Sequence, residues 1–518
     1  MFLIYVLRHD LRFADNPIFH AIAAHQPKIT HILPLYVLAP HQIEVSGFLE
    51  DTNAKSPFPE TRSQIGRFWR CGPHRARWIA ESVWDLKETL KKKGSDVVVR
   101  AGRLEDVVKD IIESKALKDE EGAVWMTRDW ATEERAEELR MRRVVTDAGL
   151  RWKVWDSQET LIHDKDLGHD ATEVADVFST FRKSVEPLRD HIREPLPEPT
   201  SLPPLPDIPP QQKPFSIPES LEDFIDCLQK PLGGAPPKPR YNANPAVGGE
   251  QHAQKRLQHL VSTGAMSRYK DTRNGMVNED DSTKLAGYLA MGSISARQIN
   301  AALVAFEEGK LDEVAKAQGY GKGENKGTAA VRFELLWRDY MCLCMRKYGS
   351  ALFSLYGFHG RQDDKEWLHP SSNAGAAKKL RRFLDGTTGI GLIDASMREL
   401  KATGYTSNRA RQNCASFLAL WLGIDWRLGA EWYESQLADY DVANNWANWQ
   451  YVAGVGNDPR ARRFNPVKQA YDYDPKGEYV KLWVDEVAEV DDLDVVFQPW
   501  KLKGAQEPLA KISYHKRK

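Results

Sequence analysis

Short apolar runs alternate with longer amphipathic stretches over the first 165 residues of the chain. The runs FLIYVL, HILPLYVL, DVVVR and AVWMT are bounded by polar or turn residues, which is typical of buried strands. Helical periodicity appears in the stretches 73–93, 103–114 and 131–148. This alternation indicates βαβ units and predicts a doubly wound parallel α/β domain over residues 1–165.

Prolines are concentrated between residues 195 and 245, which hold 15 of the 29 in the chain. This composition predicts neither helix nor inner strand, so we interpret residues 166–245 as a proline-rich connector along the surface. Beyond it the strand pattern disappears, and an all-helical domain is predicted over residues 246–484. Residues 485–518 are predicted to form a loosely ordered tail. The predicted helices of the second domain are 250–262, 283–305, 329–348, 376–384, 392–403, 407–422 and 428–438.

Several familiar catalytic motifs are missing from the sequence. The segment RHDLRFADNP follows the first apolar run, where a dinucleotide-binding domain would carry GxGxxG. The glycine-rich segment 319–327 lacks the flanking strand and helix of a phosphate-binding loop, so we interpret it as a flexible loop. No HExxH, GxSxG or Cys/His metal spacing occurs. These absences disfavour NAD-dependent, hydrolytic and metal-dependent functions, and no metal site is predicted.

Composition and charge exclude further classes. Residues 236–518 carry 40 basic and 34 acidic side chains, a net charge of +6 that suits a local anionic partner. The five scattered cysteines exclude a disulfide scaffold and favour a reducing compartment. No run approaches the roughly 20 apolar residues of a membrane span. We expect a soluble intracellular protein of the nucleus, cytoplasm or an organelle, since no targeting segment is visible and the terminal YHKRK is a poor nuclear signal.

Two clusters in the helical half could carry chemistry. Residues 282–285 (Ser282, Thr283, Lys284 and Leu285) place two hydroxyls and a cation at a predicted helix start, which suits either an anion site or an ordinary cap. Glu334, Trp337 and Arg338 have the spacing of one helix face. Their apolar flanks predict that Glu334 is partly buried, and a buried carboxylate beside tryptophan is more often functional than structural.

Two further clusters indicate a bound polar ligand. In TGYTSNRARQN, the side chains of Asn408, Arg411 and Gln412 precede an otherwise apolar helix. The segment ADYDVANNWANW carries Asp439 and Asp441. These carboxylates are too few for a metal site and are surrounded by amide donors, so hydrogen bonding to a heterocycle is favoured.

With these motifs, the sequence resembles the photolyase/cryptochrome family, and in particular its DASH cryptochrome branch. RHDLRFADNP resembles the opening motif of the family, and GPHRARWIAESVWDLKETLKKKGSDVVVR is similar to a stretch of DASH members. TGYTSNRARQN, GAEWYESQL, DYDVANNWANW and AGVGNDPR complete a match over residues 1–500. Motifs of this combined length and order almost never arise by chance.

The resemblance implies a non-covalent FAD inside the helical domain. It assigns the FAD pyrophosphate to Tyr269 and residues 282–285. It places Asn408, Arg411, Asp439 and Asp441 around the flavin ring, with Arg411 paired to Asp439. It places Asn445 beside flavin N5. The residues that it assigns to FAD are Tyr269, Ser282, Thr283, Lys284, Leu285, Arg338, Asn408, Arg411, Asp439, Asp441 and Asn445.

The resemblance also implies a light-driven reaction in which excited reduced FAD donates an electron to a cyclobutane pyrimidine dimer. Glu334 and Trp337 match the residues that contact the lesion. Gln412 and Tyr451 stand where duplex-acting enzymes have Met and Trp, which points to single-stranded DNA, with RNA left open as a second partner. Basic residues that could follow the phosphates are Lys378, Lys379, Arg381, Arg382, Arg462 and Arg463. The run KKLRR (378–382) by itself fits a merely solvated helix face equally well.

Tryptophan is unusually frequent, at 16 residues, which suits core packing, base stacking or a redox relay. In the resemblance, Trp449, Trp426 and Trp367 match the chain that reduces the flavin. Glu134 in TEERAEE resembles an acid that contacts a folate antenna, methenyltetrahydrofolate. We expect a monomeric photolyase-type enzyme without membrane partners. A blue-light signalling cryptochrome with little repair activity is the alternative.

Overall fold

The computed structural model describes residues 1–25, 28–114, 117, 120–156, 160–311, 314, 316–360, 366–458, 462–512 and 514. Two parts of the predicted motifs lie outside these residues: Pro459 and Arg460 at the end of AGVGNDPR, and residues 515–518 of YHKRK. No helix in the described part of the chain is long and apolar enough to cross a membrane.

The first part of the chain forms a parallel five-stranded sheet, among the described residues, with the order β3-β2-β1-β4-β5. All six residues of β1 are buried because it lies between β2 and β4. The predicted doubly wound parallel sheet is therefore confirmed. The strands are β1 (Phe2–Leu7), β2 (His31–Leu38), β3 (Val98–Ala101), β4 (Gly122–Thr127) and β5 (Arg151–Trp155).

Four helices accompany the strands of the sheet. The first begins after Asn16, whose side chain accepts hydrogen bonds from the backbone N–H groups of Ile18 and Phe19 and so caps the helix. The helices of this part are α1 (Pro17–Ala24), α2 (Pro73–Lys92), α3 (Leu104–Ile112) and α4 (Thr132–Asp147).

The outer edge of β3 is covered by the proline-rich segment. The side-chain amide of Gln211 accepts from Ala101 N at 2.8 Å and donates to Ala101 O at 3.2 Å. Arg100 donates to the carbonyl of Pro209 at 2.7 Å. One glutamine side chain thus takes the hydrogen-bonding place of a neighbouring strand residue.

The segment predicted as a connector without helices contains two helices, α5 (Phe178–Val185) and α6 (Leu221–Gln229). The prediction failed for α6 because the surrounding prolines hide a short amphipathic helix. Ser220 caps α6 by accepting from Asp223 N, while Phe224 and Leu228, one turn apart, are both buried.

The rest of the described chain is helical, as predicted. Residues Phe417–Trp421 form a short π-helix, which is wider than an α-helix. The domain boundaries at 165, 245 and 484 stay predictions. The helices are α7 (Glu250–Ser262), α8 (Ala265–Thr272), α9 (Ala286–Met291), α10 (Ala296–Glu307), α11 (Lys326–Tyr348), α12 (Ala374–Leu384), α13 (Gly391–Thr403), α14 (Asn408–Ser416), α15 (Trp426–Gln436), α16 (Val442–Ala453), α17 (Pro466–Tyr473), α18 (Glu478–Trp483) and α19 (Leu493–Phe497).

The predicted helix 283–305 is two helices, α9 and α10, separated at Gly292. Gly292 has φ +68°, and a Cβ atom there would lie 2.0 Å from the carbonyl oxygen of His9. Backbone contact continues beside it, since Leu11 N donates to Met291 O at 3.1 Å. The helix therefore breaks where the helical part packs against the sheet domain.

The expectation of a loosely ordered tail over 485–518 is wrong for the residues described up to 512. Val487, Val496 and Phe497 are fully buried against the helical domain, and Leu509 N donates to Thr388 O at 2.9 Å. The acidic residues between these apolar positions gave the segment the composition of a solvated tail, although its apolar side packs on the core.

Candidate functional site

One cavity of about 560 Å³, which we call the helical-domain cavity, brings together most of the predicted site residues. Its walls come from α8, α11, α14 and α16 and from the loops before α9 and α16. Tyr269 and Tyr451, both in this wall, are 182 positions apart in the chain, so the fold, and not local sequence, assembles the cavity. The predicted residues that line it are Tyr269, Ser282, Thr283, Lys284, Leu285, Glu334, Trp337, Arg338, Asn408, Arg411, Gln412, Asp439, Asp441 and Tyr451.

The wall of this cavity includes a buried cation. Lys284 is 8% exposed, and its Nζ donates to the hydroxyl of Tyr405 at 2.7 Å. Among the described residues, the carboxyl of Glu399 is near enough for Lys284 to lower its pKa, although burial raises that pKa to about 7. A buried ammonium group beside a carboxyl that is driven toward its neutral form suits an anionic ligand group. Ser282 and Thr283, immediately before Lys284, also line the cavity.

A charged pair forms another part of the cavity wall. Arg411 donates to both carboxylate oxygens of Asp439, at 3.0 and 2.8 Å. Its Nε donates to the carbonyl of Thr406 at 2.9 Å, which fixes the guanidinium plane. The predicted pairing of Arg411 with Asp439 is present in the structure.

Asp441 caps a helix with one carboxylate oxygen and lies near Arg338 with the other. Its Oδ1 accepts from Asn444 N at 2.7 Å and so caps α16, while Oδ2 lies 3.7 Å from the guanidinium of Arg338. Arg338 also donates to Leu289 O at 3.2 Å. The carboxylate is thereby fixed at the cavity wall before any ligand arrives.

Glu334 and Gln412 also line the cavity, and each contacts an arginine that sequence reasoning missed. Burial raises the pKa of Glu334 above its usual range, and the adjacent guanidinium of Arg273 opposes that rise. Arg273 forms an ion pair with Glu334. Arg409 donates to Gln412 Oε1 at 3.0 Å. Arg273 lies four residues after Tyr269, so helical spacing could have found it.

Asn445 does not line the cavity. Its side-chain amide donates to the carbonyl of Ala430 at 3.0 Å and so binds α16 to α15. The preceding residue, Asn444, lines the cavity, as does Asn448 one turn later. The helical period of α16, which we did not predict as a helix, would have selected Asn444 and Asn448 together with Asp441.

The three tryptophans of the expected relay lie in and beside α15 and α16. Trp426 is fully buried and donates its indole N–H to Leu355 O at 3.0 Å. Trp449 is buried against Gly429 of α15, where a Cβ atom would lie 2.2 Å from the indole. Trp367 precedes Leu368, whose N donates to Gly423 O at 2.8 Å, so its backbone runs beside the start of α15.

A second cavity of about 740 Å³, the inter-domain cavity, lies between the sheet domain and the helical part and includes Glu134 in its wall. Gln42 Nε2 donates to Glu134 Oε1 at 2.6 Å. Burial, with a contribution from Asp129, raises the pKa of Glu134 to about 7. Burial alone would raise the pKa of Asp129, but His9, whose Nδ1 lies 2.9 Å away, lowers it to about 2.

These two cavities, on a parallel sheet and in a helical array, define the architecture with which known proteins can be compared. A family model of DNA photolyase matches residues 3–201, and a model of the FAD binding domain of DNA photolyase matches residues 331–517. The crystal structure of the Synechocystis cryptochrome superposes with a TM-score of 0.80 and 33% identity, covering 97% of this chain and 92% of that one.

Curated relatives agree with these matches. A DASH cryptochrome of Xenopus laevis is 39% identical, with 99% of this chain and 87% of that protein covered. A Neurospora crassa protein named as a mitochondrial DASH cryptochrome is 49% identical, with 96% of this chain and 71% of that protein covered. The fold and cavities are thus those of a photolyase-type flavoprotein. The chain belongs to the photolyase/cryptochrome family, in its DASH branch.

Proposed function

We propose that this chain is a light-driven enzyme that splits cyclobutane pyrimidine dimers, preferentially in single-stranded DNA. The observation that carries the proposal is the helical-domain cavity, whose wall holds two sets of residues. Lys284, Arg411, Asp439 and Asp441 form the charged set, which we take as the inner part, and Glu334, Trp337, Gln412 and Tyr451 form the set that we take as the outer part. An FAD-binding interior and a lesion-binding end in one cavity are what electron transfer from flavin to a dimer requires.

The inner part of the cavity fits FAD. Lys284 supplies the buried positive charge for the pyrophosphate, and Ser282 and Thr283 supply hydroxyl donors beside it. Asp439 and Asp441, each held by an arginine, supply acceptors for the polar edge of a flavin ring. When bound, FAD supplies the photochemical electron, and the residues of the chain orient it and exclude water.

The outer part of the cavity suits a flipped dimer. A carboxyl with a raised pKa, such as Glu334, can donate a hydrogen bond to a base carbonyl when protonated. Trp337 offers a stacking surface, while Gln412 and Tyr451 are more polar than the Met and Trp of duplex-acting relatives. Weaker stacking leaves less energy to offset base flipping from a duplex, so single strands are the better substrates.

Only some of the six basic residues named from the sequence are placed to contact DNA phosphates. Arg462 lines the helical-domain cavity, and Lys378 and Arg381 are exposed on α12. Arg382 instead donates to the backbone carbonyls of Thr387 and Glu507, both at 2.9 Å, and so fastens the C-terminal segment. We propose that Arg462, Lys378 and Arg381 contact phosphates and that Arg382 is structural.

The inter-domain cavity is proposed to hold a folate antenna, methenyltetrahydrofolate. Its volume suits a bicyclic ring with a side chain, and the pair Glu134 and Gln42 presents carboxyl and amide groups to the edge of a pterin. We also propose that Trp367, Trp426 and Trp449, in that order from the surface, carry electrons toward the flavin. Trp426 begins α15, the indole of Trp449 packs on Gly429 of the same helix, and the residue after Trp367 hydrogen-bonds to Gly423 just before it.

The test is irradiation of the purified protein with blue light and measurement of thymine-dimer splitting in matched single- and double-stranded oligonucleotides. We expect splitting only when light and a reductant are both present, and we expect it to be faster in the single strand. Flavin photoreduction without splitting of either substrate would support the signalling function instead. Equal rates in the two substrates would leave repair standing and remove the single-strand preference.

A further inference from the structure

Phe178, in the segment predicted as a connector, stacks face to face on Trp337. The ring centroids are 3.6 Å apart and the planes differ by 12°. Phe178 is buried, whereas Trp337 is half-buried and lines the helical-domain cavity, which Phe178 does not line. Phe178 therefore covers one face of the Trp337 indole. A lesion in the cavity can contact only the uncovered surface of that indole.

The position of Phe178 is itself fixed from several sides. Its ring makes edge contacts with Phe333 at 5.4 Å and Tyr340 at 5.5 Å, both from α11. The chain leading to it is held by Lys347, whose Nζ donates to Val174 O at 2.7 Å. Asn457 donates to Asp176 O at 2.8 Å as well as to the hydroxyl of Tyr340. These anchors leave the phenyl ring little freedom.

From this geometry we infer that Phe178 is a positioning residue that sets the plane of Trp337 for stacking with the dimer. The inference rests on the proposed function and adds a residue from outside the helical domain to the recognition of damage. A tryptophan that is already held in its binding orientation loses less rotamer entropy when a base stacks on it. Removing the phenyl ring should weaken binding of damaged strands and leave undamaged strands unaffected.

The test uses F178L in the full-length protein with bound FAD, in the dark, and compares Kd values for one oligonucleotide with and without a thymine dimer. We expect Kd for the damaged strand to rise about 5-fold, equal to about 1 kcal/mol, with no change for the undamaged strand. F178M, which nearly conserves volume without a ring, provides the same comparison if F178L folds poorly.

The control is F181L, on the same helix. Phe181 is buried and packs on Phe178 at 6.2 Å and Tyr340 at 5.3 Å, so it shares the cluster without serving as the stacking partner of Trp337. We expect F181L to bind both strands like wild type. An equal, dimer-specific loss in F181L would mean that general packing is responsible and would overturn the inference.

A double-mutant cycle with Trp337 separates positioning from packing. If Phe178 acts through the indole, F178L should cause no further loss of dimer affinity in a W337A background. A full additional 5-fold loss there would overturn the inference, as would an unchanged Kd in F178L and F178M. Equal binding of damaged and undamaged strands by wild type would instead overturn the proposed function.

Discussion

The two cavities differ in how the chain builds them. The helical-domain cavity takes most of its charged wall from α11, α14 and α16 and the loops beside them, in motifs of a few residues each. The inter-domain cavity is assembled from short pieces of many elements, including His9, Gln42, Arg70 and Glu134 of the sheet domain. A site made of helical motifs can be recognised in sequence, whereas a site made at a domain boundary depends on packing between distant segments.

Their electrostatics differ as well. In the helical-domain cavity, Asp439 and Asp441 each lie beside an arginine. In the inter-domain cavity, Glu134 is driven toward its neutral form while Asp129, beside His9, is ionised. The first arrangement suits a ligand that has both a polar ring edge and a charged group, and the second suits a neutral ring that needs both hydrogen-bond donors and acceptors.

The largest expected effect is loss of FAD from the helical-domain cavity in D439A. Removing one partner of a buried charge pair costs about 3–5 kcal/mol and leaves Arg411 without its carboxylate. We expect flavin absorbance per protein, after gel filtration, to fall at least about 10-fold. The control is D472A, which breaks the solvent-exposed ion pair between Asp472 and Lys468 and should retain FAD. Full retention in D439A would contradict the assignment of this cavity.

The next effect concerns the tryptophans. W426F should keep FAD bound but slow flavin photoreduction at least about 10-fold, because a phenyl ring is harder to oxidise than indole and cannot relay the electron. Repair with chemically reduced flavin should survive. W483F, a buried tryptophan of α18, is the matched control. Equal photoreduction rates in the two variants would show that electrons take another route.

The inter-domain cavity predicts a pH dependence of stability. Glu134 binds its proton more tightly in the folded state, with a pKa of about 7, than in the unfolded chain. Its contribution to stability is therefore present at low pH and is lost as pH rises from about 5 to about 7. E134Q should reduce this loss by about 2–3 kcal/mol, measured by urea unfolding at pH 5 and pH 7.5.

Two results would test that assignment further. E134Q should leave FAD occupancy unchanged, since Glu134 lies in the other cavity. Asp339, Glu250 and Glu399, whose burial raises their pKa values to about 7, should still give the variant a declining stability over the same pH range. A wild-type protein whose stability rises from pH 5 to pH 7.5 would contradict the direction of these shifts.

E334Q should keep FAD and lower the yield of dimer splitting several-fold, because the amide retains the shape of the side chain but loses the acid. The yield per absorbed photon measures the effect directly. E478Q, an exposed glutamate of α18, is the control. Repair at the wild-type yield would assign Glu334 a structural role with Arg273.

The smallest expected effect belongs to the outer end of the cavity. Q412M with Y451W restores apolar contact area, and stacking is worth about 1–3 kcal/mol per base. Part of this energy should reappear as about 2-fold faster repair of duplex substrate, with little change on single strands. A loss of activity on both substrates would indicate that Gln412 is needed for its contact with Arg409.

Much of the fold was accessible from the sequence because its central strands are short and wholly apolar. The edge strand β5 was missed because RWKVW alternates apolar with basic residues and lies half exposed. Helix α16 was missed because asparagine and tryptophan are weak helix formers, although Asp441 caps it. Gly292 was taken as helical because its cause, the carbonyl of His9, lies almost 300 residues away in sequence.

The site shows the same limit. Motifs located Glu334, Arg411 and Asp439, but the contact of Glu334 with Arg273, 61 residues away, depends on the fold. Phe178 carries no functional signal in the sequence, since it shares one helix face with Phe181 and Val185, and such a face is most often ordinary core. Arg409 stands within a recognised motif, but its contact with Gln412 depends on side-chain direction and not on spacing alone.

Gln211, at the edge of β3, affects how readily the protein can aggregate in solution. A parallel sheet that ends in an open strand can accept a strand from another molecule and so begin a fibre or an aggregate. Here the covering segment satisfies Ala101 through the side chain of Gln211, and its neighbours Pro209 and Pro210 have no N–H groups to offer in turn. The segment therefore ends the sheet without creating a new edge, and the sheet cannot grow by addition on that side.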